Sequence, residues 1–150
     1  MRTRRVAKGD LSATAMCTSF NLRKAARAVT QFYDDALRDS GLKSTQFSLL
    51  AAASVAGTAP ISRLAEEMAM DRTTLTRNLK PLEMEGLLRI EAGADRRVRN
   101  ITITPEGEAL LEKAAPMWRG AQTRMIDKLG DERWGELLRQ LQSVRRALQE

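Results

Sequence analysis

Glycine and proline cut this chain into short runs of fixed order, and that order constrains the fold more than any other feature. Gly41, Gly57, Gly86 and Gly130 each follow an apolar-periodic run, where a glycine serves as a helix stop. The first run spans about Thr18 to Asp39, with Phe20, Ala25, Val29, Phe32 and Ala36 near a 3.6-residue spacing. Ser44 is placed to cap a second helix bearing Phe47, Leu50, Ala51 and Val55. Pro60 opens a third, with Ile61, Leu64, Ala65, Met68 and Ala69 on one face, and a fourth runs from about Arg72 to Glu85. Leu88–Glu91 and Asn100–Thr104 alternate apolar and polar residues around a turn-rich Ala92-Gly93-Ala94-Asp95, the pattern of a two-stranded hairpin. Thr104-Pro105 marks a cap and first helical residue, opening a long fifth helix to Leu129. Asp131 is placed to cap a sixth helix that reaches Leu148. Two short helices followed directly by a hairpin predict a winged helix-turn-helix.

The expected fold is therefore mainly α (α+β). A winged helix lobe with a two-stranded β-wing occupies residues 58–104, and helical regions occupy 18–57 and 105–150. Together they form a single domain over 18–150, behind a basic flexible arm over 1–17. Pro81 and Pro116 fall inside the fourth and fifth helices, where each removes a backbone hydrogen bond and is expected to bend its helix.

Composition narrows the chemistry. The chain of 150 residues contains no histidine, which removes Ser-His-Asp and Cys-His arrangements, the usual zinc sites and a histidine pH switch. Cys17, the single cysteine, forms no internal disulfide, which favours the cytoplasm. No apolar run approaches the roughly 18 residues of a membrane span, and no apolar core follows the basic start to make a signal peptide. The acids are scattered rather than convergent, so neither an enzyme active site, nor a cofactor, nor a metal site is expected.

The net charge of +6 suggests a polyanionic partner. Residues 1–30 alone carry seven Lys or Arg against one Asp, whereas residues 105–150 balance at eight against eight. The excess thus sits in the arm and first helix. Arg2, Arg4, Arg5 and Lys8 fit either a solvated tail or a flexible contact to a nucleic-acid groove.

The fourth helix and the hairpin tip are more specific. Leu75, Leu79 and Leu82 make a buried stripe, with Asp71 at the N-cap. The opposite face holds Arg72, Thr73, Thr74, Thr76, Arg77 and Lys80, with no acid until Glu83. Such a face is either an ordinary solvated surface or one shaped for a DNA major groove, where threonine methyls meet thymine and arginine reads guanine. At the tip, Arg96, Arg97 and Arg99 lie within four residues, suited to the electronegative minor groove, and Asp95 is placed to orient a neighbouring arginine. Groove-compatible helix and basic wing occur together, which favours double-stranded DNA as the partner.

Asp71-Arg72-Thr73-Thr74-Leu75-Thr76-Arg77, Leu82-Glu83, Gly86-Leu87, Asp95-Arg96-Arg97 and Ile103-Thr104-Pro105-Glu106-Gly107 resemble the MarR family, the multiple-antibiotic-resistance-type regulators of bacteria and archaea. Gly41-Leu42-Lys43-Ser44-Thr45-Gln46-Phe47 also matches the family's entry to its second helix, so the resemblance covers nearly the whole chain. It implies a homodimer held by residues 18–57 and 105–150, a palindromic operator, and recognition helices about one DNA turn, roughly 34 Å, apart. It implies that Thr73, Thr74, Thr76 and Arg77 read the major groove and Arg97 the minor groove, with Ser44 and Ser62 touching phosphate. Apolar side chains on the last two helices, from Leu110 to Leu148, exceed what two lone helices hide, which agrees with a dimer.

The resemblance further implies repression relieved by a small organic ligand, often aromatic or acidic, between the dimer helices and the DNA lobe. Phe20, Phe32, Tyr33 and Phe47 fall in that region, although aromatics at helical spacing are more often core. The organic-hydroperoxide-responsive branch keeps a reactive cysteine early in the first helix. Its position falls on Ser19 here, with Cys17 two residues earlier, Tyr33 at one tyrosine partner and Ser44 at the other. Two residues along a helix turn a side chain by about 200°, so thiol sensing through Cys17 needs different geometry. An effector-independent DNA-binding protein and a protein-interaction winged helix are the remaining alternatives. The latter calls for an apolar or acidic recognition face, and this one is neither.

Overall fold

The computed structural model describes residues 13–149, so the arm over 1–12 lies outside the described residues. The last part of the expected arm is ordered, with a 3-10 turn over Ala13–Met16. Helix α1 then runs Thr18–Leu37, α2 Ser44–Ala56, α3 Ile61–Glu67 and α4 Arg72–Met84. Strands β2 (Leu88–Ala92) and β3 (Arg99–Ile103) form the hairpin, followed by α5 (Pro105–Leu129) and α6 (Asp131–Ala147). Both α4 and α5 continue through their internal prolines.

The sheet has three strands rather than two. Ala59–Pro60 forms a short β1 that pairs antiparallel with β3, Ala59 opposite Ile101, giving the order β1-β3-β2. In the hairpin Leu88 opposes Ile103 and Ala92 opposes Arg99. Leu88 and Ile101 point inward and are buried with Leu64, Leu75, Leu79 and Leu82, so the lobe closes one core under α4. Leu37, Leu49, Leu50 and Ala114 extend that same core to α1, α2 and α5.

Two helix starts and one helix end differ from expectation. Ser44 is the first helical residue, not the cap: the Gln46 side chain accepts the Lys43 backbone N–H (2.9 Å) and the Ser44 N–H goes to Asp34 Oδ1 on α1 (2.7 Å). Asp131 likewise stands one residue inside α6, behind Gly130 at φ +82°. It still favours the positive end of the helix dipole. The face expected to continue to Ala69 stops earlier, because α3 ends at Glu67 and Ala69 takes φ +51° in the turn towards α4.

The joint between the lobe and α5 is closed on all sides. Thr104 is buried; its hydroxyl accepts the Gly107 N–H (3.1 Å) and donates to the Gly86 carbonyl (2.6 Å), while its own N–H bonds the Leu87 carbonyl (3.1 Å). A Cβ on Gly107 would sit 2.0 Å from that Leu87 oxygen. Gly86 turns the chain at φ +72°, a left-handed conformation that glycine takes without penalty.

Helix α6 contributes no buried residue, and Leu137, Leu138 and Leu141 are each about two-fifths exposed. On α1, Leu22 and Val29 are exposed to the same degree and Phe20 is nearly half exposed. No helix among the described residues is long and apolar enough to cross a membrane.

Gly107→Ala is expected to lower stability by about 1–3 kcal/mol, since neither the Leu87 backbone nor the β3 end has room to give. Chemical denaturation followed by circular dichroism checks this, and an unchanged midpoint would show the joint to be loose.

Candidate nucleic-acid interface

The candidate surface starts at the head of α4. Asp71 caps it: Oδ1 accepts the Thr74 backbone N–H (2.9 Å) and Oδ2 accepts the Thr74 hydroxyl (2.6 Å). The Thr74 hydroxyl and then its backbone N–H hold the Asp71 carboxyl below the usual carboxylate range. The cap fixes α4's first turn, so the side chains behind it project from a rigid frame.

Leu75, Leu79 and Leu82 are fully buried, which turns the opposite side outward. Arg72, Thr73, Thr76, Arg77 and Lys80 line one shallow exposed groove along it. None of the ion pairs among the described residues involves Arg72, Arg77 or Lys80, so these cations meet solvent directly. Two of the threonines use their hydroxyl protons locally. Thr74 is half-buried and gives its hydroxyl proton to Asp71, and Thr76 gives its own to the Arg72 carbonyl (2.8 Å). Both therefore offer methyls and lone pairs rather than donors, because short hydroxyls on a helix bond the nearest backbone or cap.

At the hairpin tip Arg96 and Arg97 are exposed. Asp95 acts through the backbone: its Oδ1 accepts the Arg97 N–H (2.9 Å) and its carbonyl the Val98 N–H (2.9 Å). No ion pair joins it to an arginine among the described residues, so its contacts are to the backbone of the turn. Arg99 folds back, donating to the Ile90 carbonyl (3.1 Å) across the hairpin. Ser62 is exposed on the first turn of α3, whereas Ser44 is half-buried with its amide committed to Asp34. That amide is not available to a phosphate.

A cleft of about 340 Å³ lies beside this surface, walled by α1, α2, α4, α5 and the turn leading to α4. Of the four aromatics expected there, Tyr33 alone lines it, together with Trp118, Met68, Met70, Asn78 and Gln122. Phe47 is core, 7% exposed and stacked on Trp118 with centroids 5.7 Å apart. Phe32 packs edge-on against Tyr33 under Arg124, and Phe20 is exposed beneath Lys24. Neighbours on a helix point about 100° apart, so Phe32 faces away from a cleft that Tyr33 enters. The Tyr33 hydroxyl donates to Gln122 Oε1 (2.6 Å), and burial raises its pKa.

Cys17 is exposed just before α1, and the Tyr33 hydroxyl bonds Gln122 rather than a thiol. Sequence reasoning missed Asp34, which joins α1 to α2. Burial pushes its carboxyl up, but the Ser44 hydrogen bonds and the Lys43 charge outweigh that and leave it below the ordinary value. It also missed the cleft residues of α5 and Asn78, since nothing local in sequence brings α1, α4 and α5 together. Among the described residues, no group of three His, Cys, Asp or Glu is placed to hold a metal.

A capped helix with a cationic outer face, a short companion helix and a basic hairpin define a winged helix-turn-helix protein. The MarR family sequence profile matches residues 42–98. The transcriptional regulator MosR of M. tuberculosis, solved in complex with DNA, is 42% identical with a TM-score of 0.81, covering 89% of this chain and 96% of its own. A second MosR structure gives 40% identity and a TM-score of 0.77 over 91% and 98%. This chain belongs to the MarR family. BpsR of Bordetella bronchiseptica, whose DNA binding is regulated by 6-hydroxynicotinic acid, shares the fold at 23% identity, a TM-score of 0.75 and coverage of 85% and 93%. No curated protein matches the chain.

Because Asp34 and Asp71 have depressed folded pKa values, the stability they add is present above the unfolded value near 4 and lost as pH falls through the folded values. Thermal melts from about pH 5 to pH 3 are expected to fall more steeply for the native chain than for Asp34→Asn/Asp71→Asn. Parallel curves would show that these carboxylates do not hold the helix starts.

Proposed function

We propose that this protein is a homodimeric transcriptional regulator of a palindromic double-stranded DNA operator, acting as a repressor that a small organic molecule releases. The exposed face of α4, with no acid from Arg72 to Lys80 and with Arg72, Arg77 and Lys80 outside every ion pair among the described residues, carries the reading. It enters the major groove, where Arg77 is the base-reading fork and the methyls of Thr73, Thr74 and Thr76 meet thymine. Arg96 and Arg97 at the hairpin tip take the minor groove, and Ser62 with Arg99 approach the backbone. The 42% identity to MosR, solved with DNA, supports this assignment.

Residues 18–57 and 105–150 form the dimerisation region in this reading and 58–104 the DNA-binding lobe. The exposed leucines of α6 and the apolar side chains of α1 supply the self-complementary surface. The chain needs no catalysis and works in the cytoplasm, where DNA is. The ligand-regulated DNA binding of BpsR supports an effector here, and the cleft beside α4 is the place for it.

The test is binding of purified protein to the DNA flanking its own gene, at two salt concentrations, against scrambled competitor. Tight, competitor-resistant binding to a palindrome is expected; equal loss to scrambled DNA would overturn the regulator reading. Arg77→Ala is expected to weaken operator binding by about 1–3 kcal/mol and relax base preference, with little change on random DNA. Arg97→Ala is expected to lower the slope of log affinity against log salt by about one. An unchanged slope would take the wing off the DNA.

A further inference from the structure

The cleft holds more chemistry than its position requires. Its apolar part is soft and flat: Trp118 braced by Phe47, with Met68 and Met70 opposite. Its polar part is neutral. Tyr33, Asn78 and Gln122 line it with hydroxyls from α2, and no lysine, arginine, aspartate or glutamate is among the lining residues. Beside the lining Ser44, Asp34 takes the Ser44 amide and faces Lys43 at 3.7 Å, so that ion pair adds no surplus cation there.

Hydrogen bonds within the wall decide what remains for a ligand. Tyr33 gives its proton to Gln122 Oε1, and the Gln122 amide N–H groups are left as donors. Among the described residues Asn78 Nδ2 meets only the Met70 sulfur, at 4.0 Å, a weak acceptor. Two side-chain amides thus present donors beside an indole face. A carboxylate entering here loses water and finds no cation among the lining residues, which costs far more than the same step for a neutral amide or carbonyl.

We infer that the cleft selects a neutral, planar ring compound carrying a carbonyl oxygen, with Asn78 and Gln122 donating to that oxygen, and that it discriminates against carboxylate anions. This narrows the expectation of an aromatic or acidic effector, and it departs from the acid that regulates BpsR. It rests on the effector reading above only for its consequence on DNA. Asn78 lies on α4, between the buried Leu75 and Leu79, so a ligand held by its amide touches the helix that carries Arg77. At about 340 Å³ the cleft suits a fused two-ring molecule, near the small end of ligand pockets.

A matched pair tests it: 1-naphthamide and 1-naphthoate, titrated by calorimetry into the full chain without DNA at neutral pH. The amide is expected to bind at least about tenfold more tightly than the carboxylate. Asn78→Leu is expected to weaken the amide by about tenfold while leaving the thermal melt unchanged. Gln122→Lys, which places a cation in the wall, is expected to reverse the preference. Equal or tighter binding of naphthoate to the native chain, or no saturable binding of either probe at millimolar concentration, would overturn the inference. So would an amide affinity indifferent to Asn78→Leu. Since these titrations contain no DNA, failure of operator binding leaves their outcome readable, and the reverse holds as well.

Discussion

Thr104 is the hinge pin of the molecule, and a single hydroxyl makes it so. By accepting from Gly107 and donating to Gly86 it ties the start of α5 to the base of the hairpin, while its N–H reaches Leu87. Every polar atom at this buried joint has a partner, and a missing one would cost about 1–3 kcal/mol. Gly107 lets the helix lie against the Leu87 backbone at a distance no side chain permits. The lobe and the long helix therefore meet at a fixed angle.

Within that frame, acids and bases have separate tasks. Asp34 and Asp71 are turned towards helix starts, where they satisfy free amides and stay ionised. Arg63 and Glu67 neutralise each other along α3. The cations of α4 and of the hairpin tip have no such partners among the described residues, although residues 58–104 are nearly balanced in charge. A net-charge figure alone conceals this.

Much of the fold was legible because it is written in local code. The stops at Gly41, Gly57, Gly86 and Gly130, the Thr104-Pro105 start and the Leu75, Leu79, Leu82 stripe all depend on neighbours within four residues. What was illegible depends on distant ones. Ala59–Pro60 is too short to show alternation and becomes a strand only because β3 lies beside it. Ser44 has the chemistry of a cap, but Asp34 and Gln46 already serve that end, leaving it inside the helix. The face of α4 was readable as a list of residues, whereas the direction of its hydroxyls was not, since Thr74 and Thr76 each had two acceptors to choose from. The cleft escaped for a similar reason: Tyr33, Asn78 and Gln122 come from three helices that only packing unites.

Helix α6 ends the chain with no side chain of its own sealed from water. Most helical stability comes from packing of an amphipathic face, so α6 gains from whatever covers its leucines. If that cover is another copy of the chain, mass action enters the folding equilibrium, and the melting temperature becomes a function of protein concentration. A cell that makes few copies would then hold a softer protein than one that makes many, and the abundance of the chain would set its persistence as well as its occupancy.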